Sequence, residues 1–241
     1  VKHGDLDSSM GNSSRDLDVH MSSDGEDMNC QSCHAFNDHM LKGNALVVSP
    51  TEYNHLGCDE CHDAAPHSET RLNDHATRVA CQTCHIPTFA RVNATKTEWY
   101  WETAGDMNRV PDIDPVTGKP DYDKMKGDFV WELNVKPELL WYDHEWNRMV
   151  IGQNDTYTTE PVVLAAPTAD INTPGAKLYP FKKMRGNQPA DVVLKRILSP
   201  HLFGTAGGDN PYWGTWDWDL ALQDGAAYTG LPYTPGSNGF V

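Results

Sequence analysis

The run Cys30-Gln-Ser-Cys33-His34 sets a five-residue pattern, CxxCH, that returns as Cys58-Asp-Glu-Cys61-His62 and Cys81-Gln-Thr-Cys84-His85. The three copies use all six cysteines of the 241-residue chain and start 28 and 23 residues apart. Two thiols one turn apart, followed at once by an imidazole, form the attachment pattern of c-type haem: the sulfurs make thioethers to the porphyrin vinyl groups and the histidine is placed under the iron. A zinc site made from CxxC pairs needs two pairs per tetrahedral metal, so three pairs leave one unmatched, and zinc gives no reason for the histidine after every second cysteine. A disulfide framework suits an even cysteine count in an exported protein but ignores the same histidines. The pattern therefore predicts three covalently attached haem c groups. Cys30, Cys33, Cys58, Cys61, Cys81 and Cys84 are the anchors, and His34, His62 and His85 are the proximal ligands.

Each iron then has a second face. A second histidine gives a closed, low-spin electron-transfer centre, whereas an open face permits substrate chemistry. His39 and His67 each follow a motif histidine by five residues, His75 precedes Cys81 by six, and His20 precedes Cys30 by ten; these four are the main candidates for distal ligands. His55 and His3 are further candidates, while His144 and His201, far down the chain, read as structural or surface residues. If more than three of these ligate iron, the surplus serves haems attached elsewhere, on missing sequence or on a neighbouring subunit.

The rare residues divide the chain. Residues 1–91 hold all the cysteines and nine of the 11 histidines, and residues 92–241 hold all eight tryptophans and eight of the nine tyrosines. The first stretch is a haem-binding segment, and the second an aromatic-rich, Pro/Gly-rich region wrapping the haem core. The 39% hydrophobic fraction, put on the usual basis by exchanging Tyr for Gly, is about 43%, slightly under the globular norm, as expected if porphyrin fills part of the interior. The expected fold is mainly α and irregular, with closely stacked haems, short helices after the motifs and small antiparallel β elements in the second half. Asp128 to Val135 and Glu138 to Asp143 are aromatic-rich strand candidates joined through Pro137, and Asp112 to Asp123 has the chemistry of an exposed loop. Ala190 to Ser199 has a helical apolar stripe between Pro189 and Pro200, and Asp217 to Gly225 reads as a helix with Asp217 as N-cap and Gly225 as terminator. Trp99, Trp101, Trp213, Trp216 and Trp218 are read as packing on flat porphyrins. Asp24, Glu26 and Asp27 lack the spacing of a calcium loop and read as solvated surface.

The formal charge of -15 argues against a nucleic-acid partner, which would need a basic patch. No stretch approaches the ~18 apolar residues of a membrane span; the best run, Val162 to Ala166, sits between two prolines. The first residues, VKHGDLDSSM, lack the basic start and apolar centre of a secretory signal, so the chain is expected to be processed or a piece of something longer.

Beyond the motifs, the stretches VKHGDLDSSM (1–10), DVHM (18–21), VACQTCHIPTFAR (79–91), KGDFVWELNVKPE (126–138) and DNPYWGTWDWDLALQDGAAYTGLPYTPGSNGFV (209–241) resemble the octahaem tetrathionate reductase family of multihaem cytochromes. The resemblance runs from the first residue to the last. It implies an exported, periplasmic or extracellular haem protein whose stacked haems feed a catalytic haem reducing tetrathionate, nitrite or hydroxylamine. It also implies departures: eight haem motifs in the family against three here, and a catalytic haem, with a lysine as distal ligand, attached in a part without a counterpart here. No catalytic residue is carried over; the three motifs, with His3 and His20 as ligands, are what transfer.

Three functions remain open from the sequence. The chain is the electron-relay part of a multihaem reductase, a non-catalytic conduit or filament subunit sharing haem ligands with identical subunits, or a catalytic protein with one haem left open. In each case its partners are redox proteins.

Overall fold

The computed structural model describes residues 5–38, 40–43, 56–204 and 208–241. His3, His39 and His55 lie outside the described residues. Helices are short: α1 (Cys30–Cys33), α2 (Thr70–His75), α3 (Cys81–His85), α4 (Tyr212–Thr215) and α5 (Trp218–Thr229). Strands are short as well. The first seven are β1 (Phe36–Asn37), β2 (Met40–Leu41), β3 (Thr95–Tyr100), β4 (Tyr122–Asp123), β5 (Gly127–Glu132), β6 (Glu138–Tyr142) and β7 (Trp146–Arg148). They are followed by β8 (Ala165–Pro167), β9 (Lys177–Phe181), β10 (Arg185–Asn187), β11 (Pro189–Asp191), β12 (Arg196–Ile197) and β13 (Asn238–Phe240). The expectation of a mainly α chain is met only loosely. Among the described residues only α5 reaches 12 residues, and the regular structure of residues 92–241 is chiefly strand. Helical turns lie on the CxxCH motifs themselves, and α2 follows the second of them.

The chain forms two compact units: Val1–Thr95 with Glu132–Arg148 and Ala165–Lys183, and Lys96–Trp131 with Met149–Leu164 and Met184–Val241. In the first, β6 and β9 pair antiparallel from Glu138↔Phe181 to Tyr142↔Lys177, and β7 pairs with β8. Tyr142, Trp146, Tyr179 and Phe181 pack ring on ring, Tyr142 lying 5.3 Å from Tyr179 and 5.4 Å from Phe181. The chain start is tied in where Thr95 Oγ1 donates to Asp5 at 2.7 Å and Asn93 Nδ2 to Asp7 at 2.9 Å.

In the second unit β3 lies between β10, which is parallel to it, and β5, which also pairs with β4. Trp99, Phe129 and Trp131 line this sheet, with the Lys96 ammonium 3.8 Å from the Trp99 ring centre and 3.6 Å from that of Phe129, a cation–π arrangement. The strand candidates at 128–135 and 138–143 do form, as β5 and β6, but pair in separate sheets. A second sheet, in the order β12-β11-β13, sits beside α5. Ala190–Ser199 is not a helix. Asp191 turns the chain by accepting the amides of Val193 and Leu194 at 2.9 and 2.7 Å, and Lys195 takes φ 49. The result is a tight connection between β11 and β12: a side chain that captures nearby amides competes with helix. α5 begins as expected, with Asp217 accepting from Asp219 and Leu220, yet runs through Gly225 to the left-handed Gly230. Gly225 is in the helix because the backbone of Ser199 passes against it where a Cβ would stand. Tyr212 stacks on Trp218 at 3.6 Å and donates its hydroxyl to Ala104 at 2.9 Å. No helix among the described residues is long and apolar enough to cross a membrane.

Candidate haem sites

Each motif is a single helical turn, which brings its two cysteines to one face. Asn29 starts α1 by accepting the amide of Ser32 at 3.2 Å while Ser32 Oγ accepts the amide of Asn29, a reciprocal cap that places Cys30 first in the helix. Cys58–Glu60 forms a 3-10 turn, with the amide of Gly57 bonded to Glu60 at 3.3 Å. The third motif is docked on β9: Leu178 O accepts from the amide of Ala80 and from Thr83 Oγ1, at 2.9 and 2.8 Å, and the amide of Leu178 donates to Arg78 O. Cys58 and Cys81 come close enough for each thiol to bear on the other's charge and on the Tyr179 hydroxyl. Burial, and then Cys81, pushes the Cys58 thiol up, and burial does the same to the Tyr179 hydroxyl. No disulfide joins any of the six cysteines.

The histidines form pairs. The rings of His20 and His62 lie 6.0 Å apart, centre to centre, at an interplanar angle of 67°. Those of His67 and His85 lie 6.0 Å apart at 17°. A metal–imidazole bond of about 2 Å on each side, added to the short reach from ring centre to nitrogen, requires roughly 6 Å between two rings ligating one metal. Both pairs join a motif histidine to a residue that the sequence nominates as a distal ligand. Asp18 sets the backbone at His20 by accepting the amides of His20 and Met21 at 3.1 and 3.2 Å, and the amide of Met28 closes on His20 O at 2.7 Å. His67 is held by Asn73 of α2.

His34 directs Nδ1 at Lys42 O, 2.9 Å away. With Nδ1 engaged by this carbonyl, Nε2 is left for a metal. Gly43, at φ 99, lets the chain pass over this ring where a Cβ would come 2.9 Å from Nδ1. No imidazole among the described residues pairs with His34 at 6 Å, and His75, exposed at the end of α2, pairs with no motif histidine among them. His144 packs 5.0 Å from Tyr142. His201 lies with Nδ1 3.4 Å from Asp224 and Nε2 2.9 Å from Phe203 O, so both nitrogens are engaged. Asn73, Asp18, Leu178 and Tyr179 escape a reading of the sequence; only Asp18, two residues before a candidate ligand, carries a local signal, the Asx turn.

The donor set fits haem c. From 56 to 79 no residue is buried, although this stretch joins two motifs and carries three histidines, so it has no interior of its own and needs another body to cover. A cavity of ≈ 410 Å³ lies against His85, lined also by Pro87, Thr88, Arg91 and Asn134. Among the described residues no group of three or more His, Cys, Asp or Glu converges as a cage for a bare metal ion; the geometry on offer is imidazoles paired at 6.0 Å. In the aromatic unit a second cavity of ≈ 350 Å³, lined by Trp101, Met149, Ile151, Leu164, Ile197 and Leu202 among others, has no titratable side chain in its wall.

Comparison with known proteins agrees. The family described as Cytochrome c bacterial matches residues 96–241, the part without a haem motif. The solved structure of an octaheme cytochrome c from Shewanella oneidensis matches with 43% identity and a TM-score of 0.87, over 100% of this chain and 55% of that one. The chain thus spans about half the length of that relative. No curated protein sequence matches. With its three CxxCH turns and paired imidazoles, the chain belongs to the bacterial cytochrome c family, as a multihaem c-type cytochrome.

Proposed function

We propose that this chain is the electron-relay part of an exported multihaem reductase of the tetrathionate, nitrite or hydroxylamine type, holding three haems on the cysteines of its three motifs. The single observation that carries the reading is the pairing of His20 with His62 and of His67 with His85, each at 6.0 Å. Two imidazoles that close both faces of an iron leave no place for substrate and give a centre suited to outer-sphere transfer. Haem c, when bound, supplies a reversible one-electron Fe(III)/Fe(II) couple.

The residues of this chain then have distinct roles. Cys58 and Cys61, with His62 and His20, hold one haem, and Cys81 and Cys84, with His85 and His67, hold a second. Cys58 and Cys81 lie close enough to influence each other's charge, so the attachment edges of these two haems would be near one another and the hop between them short. Cys30, Cys33 and His34 hold the third, with Lys42 O orienting the His34 ring. Arg91, on the cavity wall beside His85, offers a cation to the haem carboxylates. His3, His39 and His75 remain as distal ligands for His34 or for haems attached outside this chain. The catalytic haem is among the latter.

The test is to produce the chain with c-type maturation machinery. Three haem masses added to the 26.9 kDa polypeptide and a low-spin spectrum for the haems on His62 and His85 are expected. The reduced chain alone should be reoxidised slowly by tetrathionate, nitrite or hydroxylamine, and rapidly once joined to the haem-bearing sequence that its longer relatives carry. Rapid turnover by the isolated chain would overturn the relay reading. A solution mass that grows with concentration would instead identify a conduit built of identical subunits.

A further inference from the structure

We propose that Asn73 is the positioning residue for His67, fixing its tautomer and ring plane so that Nε2 is presented toward His85; the inference rests on the bis-histidine reading above. The backbone amide of His67 can only donate and its carbonyl can only accept. The amide donates to Asn73 Oδ1 at 3.0 Å and the carbonyl accepts from Asn73 Nδ2 at 2.7 Å. These two bonds fix which end of the Asn73 amide is oxygen. The same Oδ1 lies 3.2 Å from His67 Nδ1. An amide oxygen only accepts, so Nδ1 carries the hydrogen and Nε2 keeps the lone pair that a metal needs.

The clamp is built by the fold. Asn73 sits in α2, and its amide bonds to Glu69 O at 3.3 Å. His67 lies in a stretch without regular structure or buried residues. Among the described residues no other hydrogen bond holds this ring, yet it is within 17° of the plane of His85. A ligand imidazole that donates from its far nitrogen is a stronger base toward the metal, and removing such a partner typically weakens ligation ~10–100-fold. The stronger base favours the ferric state, so Asn73 holds the midpoint potential of this haem below the value that a freely rotating imidazole would give.

The experiment uses the haem-loaded protein and three variants, His67→Ala, Asn73→Leu and Asn73→Asp, followed by low-temperature electron paramagnetic resonance and by spectropotentiometric titration. H67A is expected to convert one haem equivalent to high spin. N73L is expected to raise one midpoint potential, to broaden or shift the low-spin signal of that haem, and to admit added carbon monoxide to its ferrous form at least tenfold more readily. N73D keeps an oxygen acceptor at the same place and is expected to retain the low-spin signal with a midpoint at or below that of the parent. If H67A leaves every haem low spin, the distal-ligand reading itself is wrong. If H67A opens one haem but N73L matches the parent in signal and midpoint, the role of Asn73 alone is overturned. N73D behaving like N73L would also overturn it, because the amide would then act only as a turn brace through Nδ2. Should N73L fail to accumulate, a raised midpoint in N73D decides against the proposal.

Discussion

The His67 and His85 ring centres lie 6.0 Å apart with their planes 17° from parallel. The His20 and His62 rings, at the same separation, are turned 67°. Ring angle matters to an iron held between two imidazoles. Parallel rings both mix with one d orbital and split it from its neighbour, while crossed rings mix with one each and leave the two nearly equal in energy. The two closed haems proposed here should therefore give different ferric signals, one rhombic and one strongly axial with a large maximum g value. A frozen-solution spectrum showing a single type of low-spin signal for both would contradict the ring angles.

Replacing His20 separates the two centres. His20→Ala removes one ring, while the turn that carries it is held through backbone atoms by Asp18 and Met28, so the fold should persist. One haem equivalent per chain should become high spin and bind carbon monoxide when reduced. The large-g signal should vanish, and the rhombic signal should stay. Loss of the rhombic signal instead would mean that His20 and His67 have been assigned to the wrong irons.

The chemistry of the site was legible in the sequence because it is covalent and local. Three CxxCH runs specify thioether anchors and proximal ligands without any knowledge of the fold. The ring pairs were not, because His20 reaches His62 across 42 residues and only tertiary structure chooses among eight spare histidines. Asp217 was readable as an N-cap, since a cap acts within three residues. The end of α5 was not, because Gly225 answers to the distant Ser199 backbone rather than to a terminator's conformation. Ala190–Ser199 misled for a related reason. Its apolar spacing suits a helix, but Asp191 takes the amides of Val193 and Leu194, and β13 offers Ala190 a strand partner at Gly239.

The close approach at Gly225 makes a sharp prediction. An alanine there is ordinarily favoured in a helix by about 1 kcal/mol, yet its Cβ would meet Ser199 O and press toward the amide of His201. Overpacking of this kind costs about 1–3 kcal/mol. Gly225→Ala should therefore lower the melting temperature of the aromatic unit, as followed by near-ultraviolet circular dichroism. An unchanged or raised melting temperature would show that α5 and the Ser199 segment can separate at little cost.

The same unit should be acid-sensitive through three carboxylates. Asp191 is buried, which opposes its charge, but the amides of Leu194, Thr234 and Val193 outweigh burial and hold it below the usual 3.8. Tyr233 O–H and the amide of Gly236 lower Asp219 in the same way, and the amide of Asn210 lowers Asp224. A carboxyl that is more acidic folded than unfolded stabilises the fold wherever it is ionised in both states, and that contribution disappears as pH falls through the folded value. Stability from these groups should be level above about pH 5 and decline from about pH 4 downward. Asp191→Asn keeps an oxygen for the Val193 and Leu194 amides but turns an amide toward the Thr234 N–H. It should cost about 1–3 kcal/mol at neutral pH and make the decline below pH 4 shallower. A parallel shift of the whole stability curve, with the acid limb equally steep, would show that Asp191 is not among the groups that titrate on acid unfolding.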